Sequence, residues 1–251
     1  MSLVAYKIRR KVVNALSNYQ MINEDDNILV AVSGGADSTV LLKTLMDIKH
    51  KARFRFELTA VFVDQNFPEF SIKPFQLWLE NQSIGLKIVK FDTFSLIRDK
   101  DFKKDSPCAI CSRLRRGILY SYAKNNGFNK IALGHNRDDL NETLLMNMLF
   151  SGRLSGMPPK FRTKDGYNTI IRPLCYVAKK AISERIQELK APIIKSEFCD
   201  KRQDNTRQFI RNLLQELENH NPKIADSLLA SQKNIHPSQF LDKHYWKPDL
   251  F

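Results

Sequence analysis

The six residues Ser33-Gly34-Gly35-Ala36-Asp37-Ser38 combine two glycines, two hydroxyls and one carboxylate between a short apolar run and a helical pattern. Such a loop suits an oxyanion. Phosphate oxygens need backbone N–H donors at close range, which glycine permits because it has no Cβ. A helix starting at the loop adds the positive end of its dipole. Ser33 and Ser38 add hydroxyl donors, and Asp37 can hold the magnesium ion that accompanies a polyphosphate. The Gly-Lys-Ser/Thr ending of a Walker A loop is missing, so this is a phosphate loop of another kind. The plainer alternative is a Gly-Gly turn with Asp37 as a helix cap.

A second string, Leu133-Gly134-His135-Asn136-Arg137-Asp138-Asp139, follows another apolar run. Paired acids and a histidine beside a phosphate loop can position metal or nucleotide, although the acids also suit the first turn of a helix. Asp64 closes a third apolar run, where it would meet a ribose or a group near the α-phosphate, or stand as an ordinary loop carboxylate. There are four cysteines: Cys108, Cys111, Cys175 and Cys199. A disulfide scaffold would be shorter and denser in cysteine, so Cys108-x-x-Cys111 points to metal or redox work. Cys175, in the apolar setting Pro173-Leu174-Cys175-Tyr176, reads as a small buried hydrophobe.

These residues meet only if the fold brings their loops together. Runs at Asn27–Val32, Leu58–Val63, Leu86–Phe91 and Lys130–Leu133 read as strands. Helical patterns fit residues 4–19, Ser38–Ile48, Ile72–Asn81, a stretch from about Cys108, and one from about Asp139 to Phe150. The alternation predicts an α/β fold, a doubly wound parallel sheet with helices on both faces. In such a sheet the loops leaving the strands' carboxyl ends line the ligand crevice, and both strings fall there. Beyond Gly152 the pattern changes: prolines punctuate it at Pro158-Pro159 and Pro173, and helices fit Lys179–Leu189, Gln203–Asn219 and Pro222–Ile235. The expected division is an N-terminal helix (1–26), a nucleotide-binding domain carrying the Cys-x-x-Cys helix (27–152) and a helical C-terminal part carrying Cys199 (153–251).

Forty Lys and Arg against 27 Asp and Glu give a net charge of +13. A chain this basic usually meets a polyanion, either nucleic acid or an anionic membrane surface, the plainer alternative being a solvated basic surface. From Arg153 to Arg211 there are 14 basic residues against 6 acidic, net +8, which favours a dedicated RNA-facing surface containing Arg202, Arg207 and Arg211. Arg113, Arg115 and Arg116 are further candidates for RNA phosphates. No stretch approaches the roughly 20 apolar residues of a membrane span, and Met1 to Arg10 is charged where a signal peptide needs an apolar run. The chain is expected to be cytoplasmic, with no membrane contact.

The glycine loop resembles the SGGxDS signature of PP-loop pyrophosphatases. The run from Cys108 to Tyr120 (Cys-Ala-Ile-Cys-Ser-Arg-Leu-Arg-Arg-Gly-Ile-Leu-Tyr), the Leu-Gly-His-x-Arg-Asp-Asp string, Gly156-Met157-Pro158-Pro159-Lys160, Ile171-Arg172-Pro173-Leu174 and His236-Pro237-Ser238 closely resemble the tRNA 2-thiocytidine synthetase family, TtcA. The similarity runs from about Asn27 to His236. It implies the adenine nucleotide alpha hydrolase-like fold and a reaction in which ATP, with Mg2+, adenylates the 2-oxygen of cytidine 32 in tRNA before a sulfur nucleophile displaces AMP. On this resemblance Asp37, Ser38 and Asp138 are expected to be catalytic, and Ser33, Gly34, Gly35, Asp37, Ser38, Asp64, Gly134 and His135 to bind nucleotide. By position, Cys108, Cys111 and Cys199 would hold a [4Fe-4S] cluster. The implied partners are tRNA and a sulfur donor such as a cysteine desulfurase, and a homodimer is allowed.

Other readings of the cysteines are a zinc site completed by His135 and a persulfide relay resolved by Cys199. Other functions are a lysidine-synthetase-like cytidine modification and a non-enzymatic zinc-binding RNA module. The chain departs from the family at Ala36, where lysine is usual, at Asn136, where a second histidine is usual, and at Ser196, where a further cysteine is common.

Overall fold

The first apolar run becomes a strand covered on both faces, with Ile28, Leu29 and Val30 fully buried in succession. A computed structural model describes residues 2–67, 71–98, 107–194 and 205–243. Its sheet contains β1 (Asp26–Val32), β2 (Phe56–Asp64), β3 (Leu86–Lys90), β4 (Lys130–Ala132), β5 (Lys160–Arg162) and β6 (Thr169–Ile171). The spatial order is β3-β2-β1-β4-β6-β5, parallel throughout except for β5 against β6. The chain builds outward from β1 to β3, then crosses back to place β4 on the other side of β1. That reversal opens a crevice between the carboxyl ends of β1 and β4.

Helices fill the connections: α1 (Leu3–Asn18), α2 (Ala36–Lys49), α3 (Lys73–Glu80), α4 (Thr93–Arg98), α5 (Pro107–Asn125), α6 (Arg137–Ser151), α7 (Lys179–Leu189), α8 (Asn205–His220) and α9 (Ile224–Ser231). In α1 the buried residues Ala5, Ile8, Val12 and Ala15 recur at helical spacing, and the hydroxyl of Ser2 caps the helix by accepting from the Ala5 amide at 3.2 Å. On one side of the sheet Leu29, Val61, Val63, Ile131 and Ile170 pack against Leu119 and Ala123 of α5. None of the described helices is long and apolar enough to cross a membrane.

The division of the chain differs from the expected break at Gly152. One compact unit comprises 1–139 and 158–205, the other 140–157 and 206–251. The reason is that the chain returns to the sheet after Pro158, where β6 pairs with β4 and β5 folds back on β6. These strands are three residues long, too short for an alternating pattern to stand out. In the second unit Glu142 of α6 is buried and ion-paired with Arg207 (3.0 Å) and Arg211 (2.8 Å) of α8. Arg207 and Arg211, expected on an RNA-facing surface, thus also hold a buried carboxylate, with their side chains 37% and 51% exposed. Arg202 lies outside the described residues.

At the amino end of the sheet, away from the crevice, Asp26 of β1 and Lys130 of β4 form a buried ion pair at 2.5 Å, with Asn129 donating to the same carboxylate at 2.8 Å. Removing one member of a buried pair strands the other charge. Lys130→Met is therefore expected to lower unfolding stability by about 3–5 kcal/mol, read as an earlier midpoint in denaturant.

Candidate active site

Between β1 and α2 the backbone enters the left-handed region at Gly34 (φ 75°) and becomes extended again at Gly35, which caps α2. A side chain at Gly34 would be strained there. The loop's shape is held by its own hydroxyls. Ser38 Oγ accepts from the Ser33 amide at 3.1 Å and donates to the Gly35 carbonyl at 3.1 Å, to which Thr39 Oγ1 also donates at 2.8 Å. Ser38 is buried, so its hydroxyl braces the loop, whereas Ser33 is exposed. The Ile194 amide donates to the Gly34 carbonyl at 3.0 Å, which brings the end of the described 107–194 stretch onto the loop.

The second string reaches the first through a missing side chain. A Cβ on Gly134 would stand 3.0 Å from the Ser38 nitrogen and 3.1 Å from the Asp37 carbonyl carbon. Two residues on, buried Asn136 donates its carboxamide N–H to Asp37 Oδ1 at 3.1 Å. Its carbonyl oxygen accepts from the amides of Asp138 (2.9 Å) and Asp139 (3.3 Å), while Asp139 Oδ2 accepts from the Asn136 amide at 2.9 Å. This is a reciprocal capping box at the start of α6, with aspartate in place of glutamate.

Asp138 takes a part that its sequence did not reveal. Its Oδ2 accepts from the Lys179 amide at 2.8 Å and its Oδ1 pairs with Arg137 at 3.3 Å. Ala178, at the N-cap of α7, has no side chain able to cap, and Asp138 supplies the acceptor. Lys179 in turn ion-pairs through Nζ with Asp37 Oδ2 at 2.5 Å. Sequence reasoning passed over Lys179. It is one lysine among many, 142 residues from Asp37, and only the return of the chain after β6 brings it in.

His135 is half-buried, and its Nδ1 accepts from Nε of Arg172 at 3.1 Å, so the neutral ring carries its proton on Nε2. Arg172 is buried over the Phe161 ring, and loss of hydration pulls its pKa down to about 10, which still leaves it cationic at neutral pH. Asp64 closes the turn after β2 by accepting from the Asn66 amide at 3.0 Å. Beside it the buried Gln65 carboxamide lies 3.2 Å from Cys111 Sγ, so α5 presents Cys111 at the same carboxyl edge as both loops. Cys108 lies one turn earlier in α5; its side chain and all of Cys199 lie outside the described residues. Cys175 is fully buried, as its apolar setting predicts. Among the described residues no three His, Cys, Asp or Glu side chains gather as a metal site.

At this edge the loops after β1 and β4 bring together a carboxylate held by a carboxamide and an ammonium group, with a thiol at the margin. Such an edge can bind a polyphosphate and hold a thiolate-ligated group nearby.

The PP-loop domain family matches residues 4–217. The tRNA-cytidine(32) 2-sulfurtransferase of Bdellovibrio bacteriovorus is 41% identical over 243 residues, 97% of this chain and 93% of that protein. The enzyme of the same name from Coxiella burnetii (strain RSA 493) is 38% identical, over 97% of this chain and 95% of its own. Among solved structures, the U34-tRNA thiolase NcsA from Methanococcus maripaludis with its [4Fe-4S] cluster superposes with a TM-score of 0.74 over 92% of this chain and 78% of its own, at 20% identity, a likeness of fold.

Because the atoms facing Gly134 are backbone, a methyl group there cannot be absorbed by a rotamer change. Gly134→Ala is expected to push the two loops apart and weaken ATP binding by about tenfold or more, or roughly 1.4 kcal/mol. Calorimetric titration with ATP checks this.

Proposed function

The chain belongs to the PP-loop domain family and, within it, to the tRNA-cytidine(32) 2-sulfurtransferases, and we propose that it uses ATP to replace the 2-oxygen of cytidine 32 in tRNA by sulfur. The observation that carries this reading is the 41% identity over almost the whole chain, together with two strings that share one crevice. The cytidine oxygen attacks the α-phosphorus of ATP, the α–β phosphoanhydride bond breaks, and pyrophosphate leaves. The new phosphoryl ester turns a poor leaving group into a good one. A hydrosulfide-level sulfur then adds to the ring carbon and AMP departs with the oxygen, so no net oxidation is required.

The residues divide this work. Ser33, Gly34 and Gly35, with the start of α2, bind phosphate oxygens, and Ser38 keeps the loop in shape. Asp37 holds Mg2+; its two oxygens offer about four acceptor sites, of which Asn136 and Lys179 use two. Gly134 permits the approach, and His135 and Asp64 would contact the nucleotide from the same edge. Asp138 is a positioning residue that holds α7 and Lys179 in place.

Cys111 fits a thiolate-ligated group, since its sulfur sits at the crevice margin beside a carboxamide and one helical turn from Cys108. Cys199, the proposed third ligand, follows Ile194 by five residues, and Ile194 is bound to the phosphate loop. Held by Cys108, Cys111 and Cys199, a [4Fe-4S] group would supply iron able to bind sulfur. The proposed partners are tRNA and a sulfur donor such as a cysteine desulfurase, in the cytoplasm.

The test is to incubate anaerobically purified protein with tRNA, ATP, Mg2+ and sulfide, then digest the tRNA to nucleosides for mass spectrometry. 2-Thiocytidine should form only when ATP is present, and Asp37→Ala should abolish it. A product in which an amine replaces the oxygen would instead mean a lysidine-type reaction.

Protein prepared without oxygen should be brown, with broad absorption near ~400 nm from thiolate-to-iron charge transfer. Cys108→Ala, Cys111→Ala and Cys199→Ala should each remove the band, and Cys175→Ala should leave it. Colourless protein with stoichiometric zinc would contradict the assignment.

For RNA, the ion pairs of Arg207 and Arg211 shift attention to exposed lysines such as Lys164, Lys180 and Lys190. Replacing these three with glutamine should weaken tRNA binding and reduce the log–log salt slope by roughly 1 for each phosphate no longer neutralised, measured by titration at several salt concentrations.

A further inference from the structure

The phosphate loop Ser33–Ser38 carries an acid and no base. Asp37, Asp138, Asp139 and Asp64 all stand at the same carboxyl edge of the sheet. A tetraanionic nucleotide approaching this edge would meet net repulsion unless a cation faced it. Arg137 is turned to Asp138, and Arg172 to His135 and the Pro158 carbonyl. Lys179 is placed differently. Its backbone is held by Asp138 at the first position of α7, and its ammonium reaches across to Asp37 on the loop itself. Half of the side chain remains exposed, and an ammonium group bonded to one carboxylate oxygen keeps two more N–H donors.

We propose that Lys179, delivered from α7 onto Asp37, is the cation of the phosphate loop and binds the polyphosphate of the nucleotide, doing from outside the loop what Ala36 cannot do from within it. The proposal rests on the reading of the crevice as an ATP site. Asp138, which anchors α7, acts through Lys179 and does not touch the nucleotide.

The experiment is calorimetric titration of the full-length, anaerobically purified protein with two probes in the presence of Mg2+. One is an ATP analogue with a methylene group between the α and β phosphorus atoms, the other is adenosine. Lys179→Gln should weaken the analogue about 10- to 100-fold, the loss typical of a charge-assisted hydrogen bond, and leave adenosine unchanged. Lys179→Arg should stay within about threefold of the parent, because it keeps the charge. Unchanged binding of the analogue by Lys179→Gln would overturn the proposal. So would equal weakening of adenosine, which would make Lys179 a structural support only, and so would tighter binding, which would mean that it merely obstructs Asp37. Equal loss in the arginine variant would show that charge is not what matters. If the parent bound neither probe, the ATP reading itself would fail, and this proposal with it.

Discussion

The carboxyl edge of the sheet is organised by how closely the loop after β4 approaches the first turn of α2. Gly134 lies so close to the Ser38 nitrogen that a Cβ would stand only 3.0 Å from it, and that contact makes two loops from distant parts of the chain into one crevice. The adjacency of β1 and β4 brings the loops to the same place, and the absent side chain lets them touch. Asn136 then converts proximity into register. It is buried, donates to Asp37, and at the same time caps its own helix, so the carboxylate on one loop and the start of α6 on the other cannot drift independently.

From Asn136 the polar contacts run in sequence through Asp37 and Lys179 to Asp138 and Arg137. Half-exposed ion pairs of this kind contribute only about 0–1 kcal/mol each to stability. Their importance is directional. Each group is held by a partner on a different element, which leaves the donors of the phosphate loop facing the crevice and places the ammonium group where negative charge would arrive. Stability is drawn from elsewhere, from Leu29, Val61 and Ile131 between the sheet and α5, and from the buried Asp26–Lys130 pair at the opposite edge.

Much of this was legible in the residues. The runs 27–32 and 58–63 and the periodicity of α1 and α7 are unambiguous because burial on both faces, or on one helical stripe, leaves a strong imprint. The Ser-Gly-Gly and Leu-Gly-His strings announce their loops because glycine beside polar residues at a strand end has few other uses. Contacts set by the path of the whole chain were not legible. β5 and β6 are too short to read, so the return of the chain to the sheet and the entry of Lys179 into the site were missed. Charge counts do not show that Arg207 and Arg211 pair with a buried Glu142. Asp138 and Asp139 look equivalent in sequence, yet one caps its own helix and the other holds α7.

In the proposed reaction this crevice adenylates the 2-oxygen of a tRNA cytidine so that sulfur can replace it. The most direct measurement uses tRNA bearing 18O at that oxygen, with ATP, Mg2+ and sulfide, and follows the label by mass spectrometry. If the oxygen attacks the α-phosphorus, the label must leave in AMP as 2-thiocytidine forms, one labelled AMP for each sulfur inserted. Label found in water or in inorganic phosphate, with unlabelled AMP, would contradict the account.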